Sequence, residues 1–211
     1  MPFADRFTRV LRKEIRSIIL GVFLSGTAMS VFGVLYNLYL KSSGIHESQI
    51  GIMLASSSLG VLTGTLPAIW LVRRVPLRMM LIVPLLLYAV VNVVRTFWVS
   101  TPVLATMGFL GGFLLCSQGT VLLPYLKKHT SPEHRVKVFG IYEGLGFAAA
   151  VLGSLLSGAL LALFKLWFPV DGAYRMTLSL SMVMGLLSII PLLALPRSSA
   201  KEQALDAANE E

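Results

Sequence analysis

Residues 18–40 read IILGVFLSGTAMSVFGVLYNLYL, with no Asp, Glu, Lys or Arg among them. A bilayer core needs about 20 mainly apolar residues in helical form. A barrel strand would be about 10 residues long and would alternate in polarity. This stretch is too long and too uniform for a strand. It predicts a helix that crosses a membrane.

Five more runs of the same kind follow, at residues 50–72, 79–99, 103–126, 138–164 and 176–195. Polar segments separate them. Residues 41–49 read KSSGIHESQ, residues 73–78 read RRVPLR, and residues 127–137 read KKHTSPEHRVK. Residues 100–102 (STP) make a minimal turn, and residues 165–175 hold Pro169, Asp171 and Gly172. The expected fold class is therefore an all-α membrane protein with six transmembrane helices.

The composition agrees. Of 211 residues, 55% are hydrophobic and 13% are charged, against about 25% charged in an ordinary soluble domain. A soluble shell or a disordered chain is excluded by this balance. The net charge of +8 points to basic membrane-flanking loops rather than to nucleic acid. The single cysteine, Cys116, cannot form an intramolecular disulfide. The three histidines lie in polar connections, and no Cys/His cluster suggests a metal. No cofactor is expected.

Basic residues also set the orientation. Fourteen of the 18 Lys and Arg residues fall in residues 1–17, 73–78, 127–137 and the tail, which an even helix count places on one side. Lys41, Lys165 and Arg175 fall on the other, and Arg95 lies within the third run. The positive-inside rule makes the rich side, and both termini, cytoplasmic. A plasma membrane, as in a bacterial inner membrane, is the expected location. Residues 1–17 alternate Phe3, Phe7, Val10, Leu11 and Ile15 with basic residues, and read as an interfacial amphipathic segment. Residues 18–195 form the helical domain, and residues 196–211 a polar linker or tail.

The order and spacing of these elements resemble the amino-terminal half of a major facilitator superfamily transporter. NLYLKSSGIHESQIG at residues 37–51 is similar to that family's first external loop and the start of its second helix. LLPYLKKHTSPEHRVKVFGIYEGLGFAAAVLGSLLSG at residues 122–158 is similar to its fourth-to-fifth connection and glycine-rich fifth helix. The loop between helices two and three departs from the family pattern. Arg73 keeps its register, but Val72 stands where the family has an acid. The resemblance implies a six-helix half built as a three-plus-three inverted repeat. It also implies a second such unit, either a homodimer mate or a separate carboxy-terminal half.

Small residues four apart share a helix face and let helices approach closely. The second run has Ser56, Gly60, Gly64 and Ala68, and the fifth has Gly146, Ala150, Ser154 and Gly158. The resemblance implies that both stripes dock the second unit. Packing inside this unit is the alternative, since the fourth run carries Gly108, Gly112, Cys116 and Thr120 at the same spacing.

Polar residues within the runs need a reason, because charge at membrane depth costs at least about 2.5 kcal/mol. Arg95 either snorkels to the interface or contacts a solute or anion, with Asn92 on the same face. Asn37 and Gln118 are uncharged candidates for lining a cavity, since the resemblance places helices one and four there. Bonding between helices is the alternative. Glu143 is the acid within the spans, and it and Arg73 are candidates for gating or coupling. Tyr36, Tyr88, Tyr142, Trp70, Trp98 and Trp167 fall near run ends and read as an aromatic belt.

The resulting reading is a half-size secondary transporter that moves a small solute by alternating access with a second six-helix unit. A transport-inactive fragment and a membrane scaffold are the alternatives. An enzyme is not expected, because no nucleophile, base and orienting group come together within the spans.

Overall fold

A computed structural model describes residues 13–72, 74–128, 130 and 132–193. Its long helices are α1 (Lys13–Ser42), α2 (Glu47–Val72), α3 (Leu77–Phe97), α4 (Thr101–Lys128), α5 (Arg135–Phe164) and α6 (Val170–Leu187). A 3-10 turn at Pro132–His134 precedes α5, and a short α7 (Ile189–Leu193) follows α6. Among the described residues, six stretches are long and apolar enough to cross a membrane: Ser17–Ser42, Glu47–Val72, Arg78–Phe97, Thr101–Pro124, Pro132–Phe164 and Val170–Leu193. They match the six runs in the sequence to within a few residues at most ends. Most of residues 1–17, all of the tail from residue 196, and Arg73 lie outside the described residues.

The long helices make their backbone hydrogen bonds within the segment, which is what a bilayer without water demands, with one bond removed at each of Pro67, Pro84 and Pro124. Hydroxyls in the spans do the same locally. Thr27 donates to Phe23 O at 2.8 Å, Thr63 to Leu59 O at 2.8 Å and Thr177 to Ala173 O at 2.8 Å. A Thr can therefore sit in an apolar span with its proton already placed.

The connections are short and locally determined. α1 closes where Gly44 takes φ 79°, a left-handed conformation open to glycine. Ile45 N then donates back to Leu40 O at 3.1 Å. The sixth span starts at Val170, six residues before the expected Met176. Pro169 stands at its amino-terminal cap and Asp171 in its first turn. Proline fits a helix start and an acid suits its positive end. Polar residues that read as loop are thus the helix opening. The span is also interrupted at Ser188, between α6 and α7. Pro191 supplies the reason. It has no N–H for the carbonyl of residue 187, and its ring crowds that carbonyl.

α1 is the central element. Its Val31, Phe32, Leu35, Tyr36, Tyr39 and Leu40 form the largest buried cluster, together with Ala173, Tyr174, Leu178 and Met182 of α6. α1 packs on α5 and α6, and α3 packs on α4 and α6. α2 lies along α4 in the most extensive contact of the fold.

That last contact is backbone on backbone. A Cβ on Gly60 would collide with Phe109 O and stand 2.8 Å from Phe113 N. One on Gly112 would collide with Ser57 O, and one on Gly108 would stand 2.7 Å from Met53 O. Glycines from both helices therefore interleave along one seam. Gly60, Gly64 and Ala68 are buried in it, so these residues do not face outward. The docking role expected for the second-run stripe gives way to packing within the unit. The fourth-run stripe is its partner.

Candidate functional site

The fifth-run stripe has a different fate. The face of α5 that packs on α1 is Ala149, Gly153, Ser157 and Leu161. A Cβ on Gly153 would lie 2.6 Å from Thr27 O and 2.6 Å from Ser30 Cβ. Gly146, Ala150, Ser154 and Gly158 lie one residue round the helix. Ala150, Ser154 and Gly158 are exposed, and a Cβ on Gly146 or Gly158 would meet nothing within 4 Å. At the edge of this open face Ser30 of α1 donates to Ala150 O at 2.8 Å. Ser154 donates to the same carbonyl at 2.8 Å. The two hydroxyl oxygens are 3.3 Å apart.

Asn37 stands seven residues after Ser30, close to two turns on, and so on the same side of α1. It is exposed. Gln118 of α4 is half-buried. It lies two turns beyond Gly111, whose Cβ position is 3.3 Å from the Tyr88 ring of α3. Glu143 is exposed on α5, and no ion pair to another described residue holds it. The structure thus leaves Asn37 and Glu143 on open surface.

Asn92 and Arg95 are elsewhere. They sit inside the unit where α1, α3 and α6 converge, on the side of α1 away from Asn37. Asn92 is 4% exposed and Arg95 8%. The guanidinium does not snorkel. Its carbon lies 4.4 Å from the centre of the Phe32 ring, 4.6 Å from Tyr36 and 5.8 Å from Tyr88. Phe32 and Tyr36 are stacked at 4.9 Å. The Tyr36 hydroxyl donates to Arg95 O at 2.9 Å and the Tyr39 hydroxyl to Thr96 O at 3.0 Å. Arg175 Nε of α6 donates to the Tyr39 hydroxyl at 3.1 Å. Three helices are joined by this chain of contacts. The four residues expected to line one cavity therefore do not come together.

Sequence reasoning missed Phe32, Tyr39 and Arg175 here, and placed Tyr36 in an interfacial belt. Tyr36 is buried. Its spacing with Phe32 and Tyr39 puts all three on one side of α1, which is the signal that was available. Trp70, Trp98 and Trp167 are exposed, as belt residues are.

Beside Asn92 is a small cavity of about 30 Å³, open at one side. α1 lines it with Ser25, Ala28, Met29 and Phe32, and α3 with Leu85, Tyr88, Ala89 and Asn92. α6 adds Ser181, Met182 and Gly185. No group of three or more His, Cys, Asp or Glu is placed to hold a metal among the described residues.

With six membrane-length helices and this packing in place, the comparison with known families is decisive. The profile of the Major Facilitator Superfamily matches residues 18–210. The chain belongs to that family. It is an integral membrane protein of a transporter family, not of an enzyme family. A search of curated proteins finds no match.

Proposed function

We propose that this major facilitator chain moves a small solute by alternating access, working with a second six-helix unit of the same kind. The family match over residues 18–210 carries this reading. In such transporters a solute site lies near the midplane, where structural repeats meet, and rocking exposes it to each side in turn. The open stripe of α5 supports a docked second unit there. In lipid, helices associate where small residues permit close approach, and Ala150, Ser154 and Gly158 are exposed. Asn37 faces the same side and offers a solute a hydrogen bond. Gln118 is the corresponding candidate on α4, with Glu143 and Arg73 as candidates for coupling or gating.

The packing pairs support a three-plus-three repeat. Exchanging each helix for the one three positions on turns α2–α4 into α5–α1, and α3–α4 into α6–α1. All four contacts occur, and the α3–α6 contact maps to itself. The 14-to-3 distribution of basic residues supports cytoplasmic termini in a plasma membrane.

The test is mass and uptake together. The full chain in lipid nanodiscs is sized, then reconstituted into liposomes with and without a proton gradient and screened against a panel of small solutes. A paired assembly that accumulates a solute is the expected result. Uptake by an assembly of a single six-helix unit overturns the pairing. No uptake from a paired assembly across the panel points to the inactive or scaffold reading.

A further inference from the structure

The turn between α2 and α3 carries charge that the unit does not neutralise. Residues 70–78 read WLVRRVPLR, with three arginines and no acid. At the turn between α1 and α2, by contrast, Lys41 pairs with Glu47 at 3.0 Å. That is the ion pair found among the described residues, and Arg74 has no part in it. Arg74 is exposed, yet it is held in place. Its own N–H and that of Val75 both donate to Leu71 O at 2.9 Å. Its guanidinium carbon lies 4.0 Å from the centre of the Trp70 ring. The ring covers one face of the guanidinium. The N–H donors lie in its plane, and that fork suits the oxygens of a phosphate.

An apolar strip leads up to this arginine. Leu62, Leu66 and Trp70 are four apart and share one face of α2. They are 70%, 75% and 54% exposed. Gly60, Gly64 and Ala68, each two residues away and so nearly opposite, are buried against α4. Leu62 to Trp70 is about 12 Å along the helix, close to the depth of one leaflet, about 15 Å. The strip is therefore apolar for the length of an acyl chain. It ends in a tryptophan, which suits the headgroup level, and then in a cation. That order of chemistry is the order of a phospholipid.

We propose that this strip binds an anionic phospholipid. Its phosphodiester accepts from the Arg74 fork, its glycerol region lies at Trp70, and an acyl chain runs along Leu66 and Leu62. The bound lipid neutralises Arg74 and fixes the turn between α2 and α3 at headgroup depth. The site needs no solute and no gradient, so it stands apart from the transport reading.

The test uses the fluorescence of Trp70. Replacing Trp98 and Trp167, both exposed, by Phe leaves it the sole tryptophan of the full chain. The protein is reconstituted at pH 7 in bilayers that mix phosphatidylglycerol and phosphatidylcholine, with bromine on the acyl chains of one or the other. The quenching gives the preference of the site for one lipid over the other. Phosphatidylglycerol is expected to win by about fivefold, the contribution of one basic residue at the membrane surface. Arg74→Gln should bring the preference close to one. Arg74→Lys should restore part of it, because the charge returns without the fork. Lys137→Gln removes an equal charge from an exposed residue at the same end of the bundle and should leave the preference as it was. Equal quenching by the two lipids in the unsubstituted site overturns the proposal. So does a preference that survives Arg74→Gln, or one that falls as much in Lys137→Gln, since both describe a diffuse surface charge. Loss of the preference in excess glycerol phosphate makes the ligand a soluble phosphate and overturns the lipid. A Trp70 that neither brominated lipid quenches is covered by protein, and the strip then belongs to a second unit.

Discussion

The small-residue stripes of α2 and α5 look alike in sequence and end in opposite situations. On α2, Gly60, Gly64 and Ala68 are buried. On α5, Ala150, Ser154 and Gly158 are exposed. The difference lies in the partner helix, not in the stripe. α4 presents Gly108 and Gly112 to α2, so two glycine ridges interleave. α1 presents Thr27 and Ser30 to α5. The Thr27 carbonyl and the Ser30 side chain meet Gly153, and the packed face of α5 is Ala149, Gly153 and Ser157. A stripe of small residues therefore signals close approach. Its partner is settled by whether a neighbour carries a matching stripe.

The largest expected effects are at the closed seam. In Gly60→Leu the first added atom meets the Phe109 carbonyl and the Phe113 amide. Both are backbone, so no change of side chain on α4 relieves the clash. Overpacking costs about 1–3 kcal/mol, and more where nothing can yield. Gly60→Leu and Gly112→Leu should lose most of the folded protein, read as the monodisperse fraction after detergent extraction. Gly158→Leu should leave that fraction unchanged, because no described atom lies within 4 Å of its Cβ. Equal losses at Gly60 and Gly158 would break the contrast between the two stripes.

A finer version separates backbone from side-chain crowding. The Cβ of a residue at 64 would stand 2.7 Å from Cys116 Sγ and 2.9 Å from Phe113 O. Gly64→Ala should lower the thermal midpoint, and adding Cys116→Ala should restore part of the loss. The same Cys116→Ala should do nothing for Gly60→Ala. Rescue of both would mean that α2 and α4 can slide apart, and the seam would be softer than the glycine contacts imply.

On the open stripe the effect moves from folding to assembly. Ser154→Leu should keep the folded fraction near wild type, since the residue is exposed and its hydroxyl bonds lie within α5 and to Ser30. It should reduce the paired species in nanodiscs and with it any uptake. A normal paired fraction in Ser154→Leu would remove the docking role of this face.

How much of this was legible follows the same division. The six spans were readable to a few residues, because hydropathy over about 20 positions is a property of one segment at a time. The start of the sixth was misread because Asp171 and Gly172 look like loop until Pro169 is recognised as a helix start. Pairings were not readable in that way. Arg95 drew attention as a lone charge, but its supports come from Phe32 and Tyr36 of α1. Only the fold brings those side chains next to it. Tyr36 near a span end looks like an interfacial anchor until the rotation of α1 turns it inward. Asn37, one residue along, is turned outward by the same rotation.

The smallest predicted effect tests the inner side of α1. Tyr39 donates to Thr96 O at 3.0 Å and accepts from Arg175 Nε at 3.1 Å. Tyr39→Phe removes both bonds and keeps the ring in its packed place. Polar contacts between membrane helices average about 0.6 kcal/mol and reach about 1.7 at most. Arg175 can turn toward the end of its span, so it need not stay unsatisfied. The expected loss is therefore about 1 kcal/mol, measured as a shift in the unfolding equilibrium in mixed micelles. Arg175→Gln should cost no more, and the double variant should cost less than the sum, because the two changes remove one shared bond. Strict additivity would mean that Tyr39 and Arg175 act independently. The polar link between α1 and α6 would then add nothing beyond the packing of the rings, and the inner face of α1 would be held by shape alone.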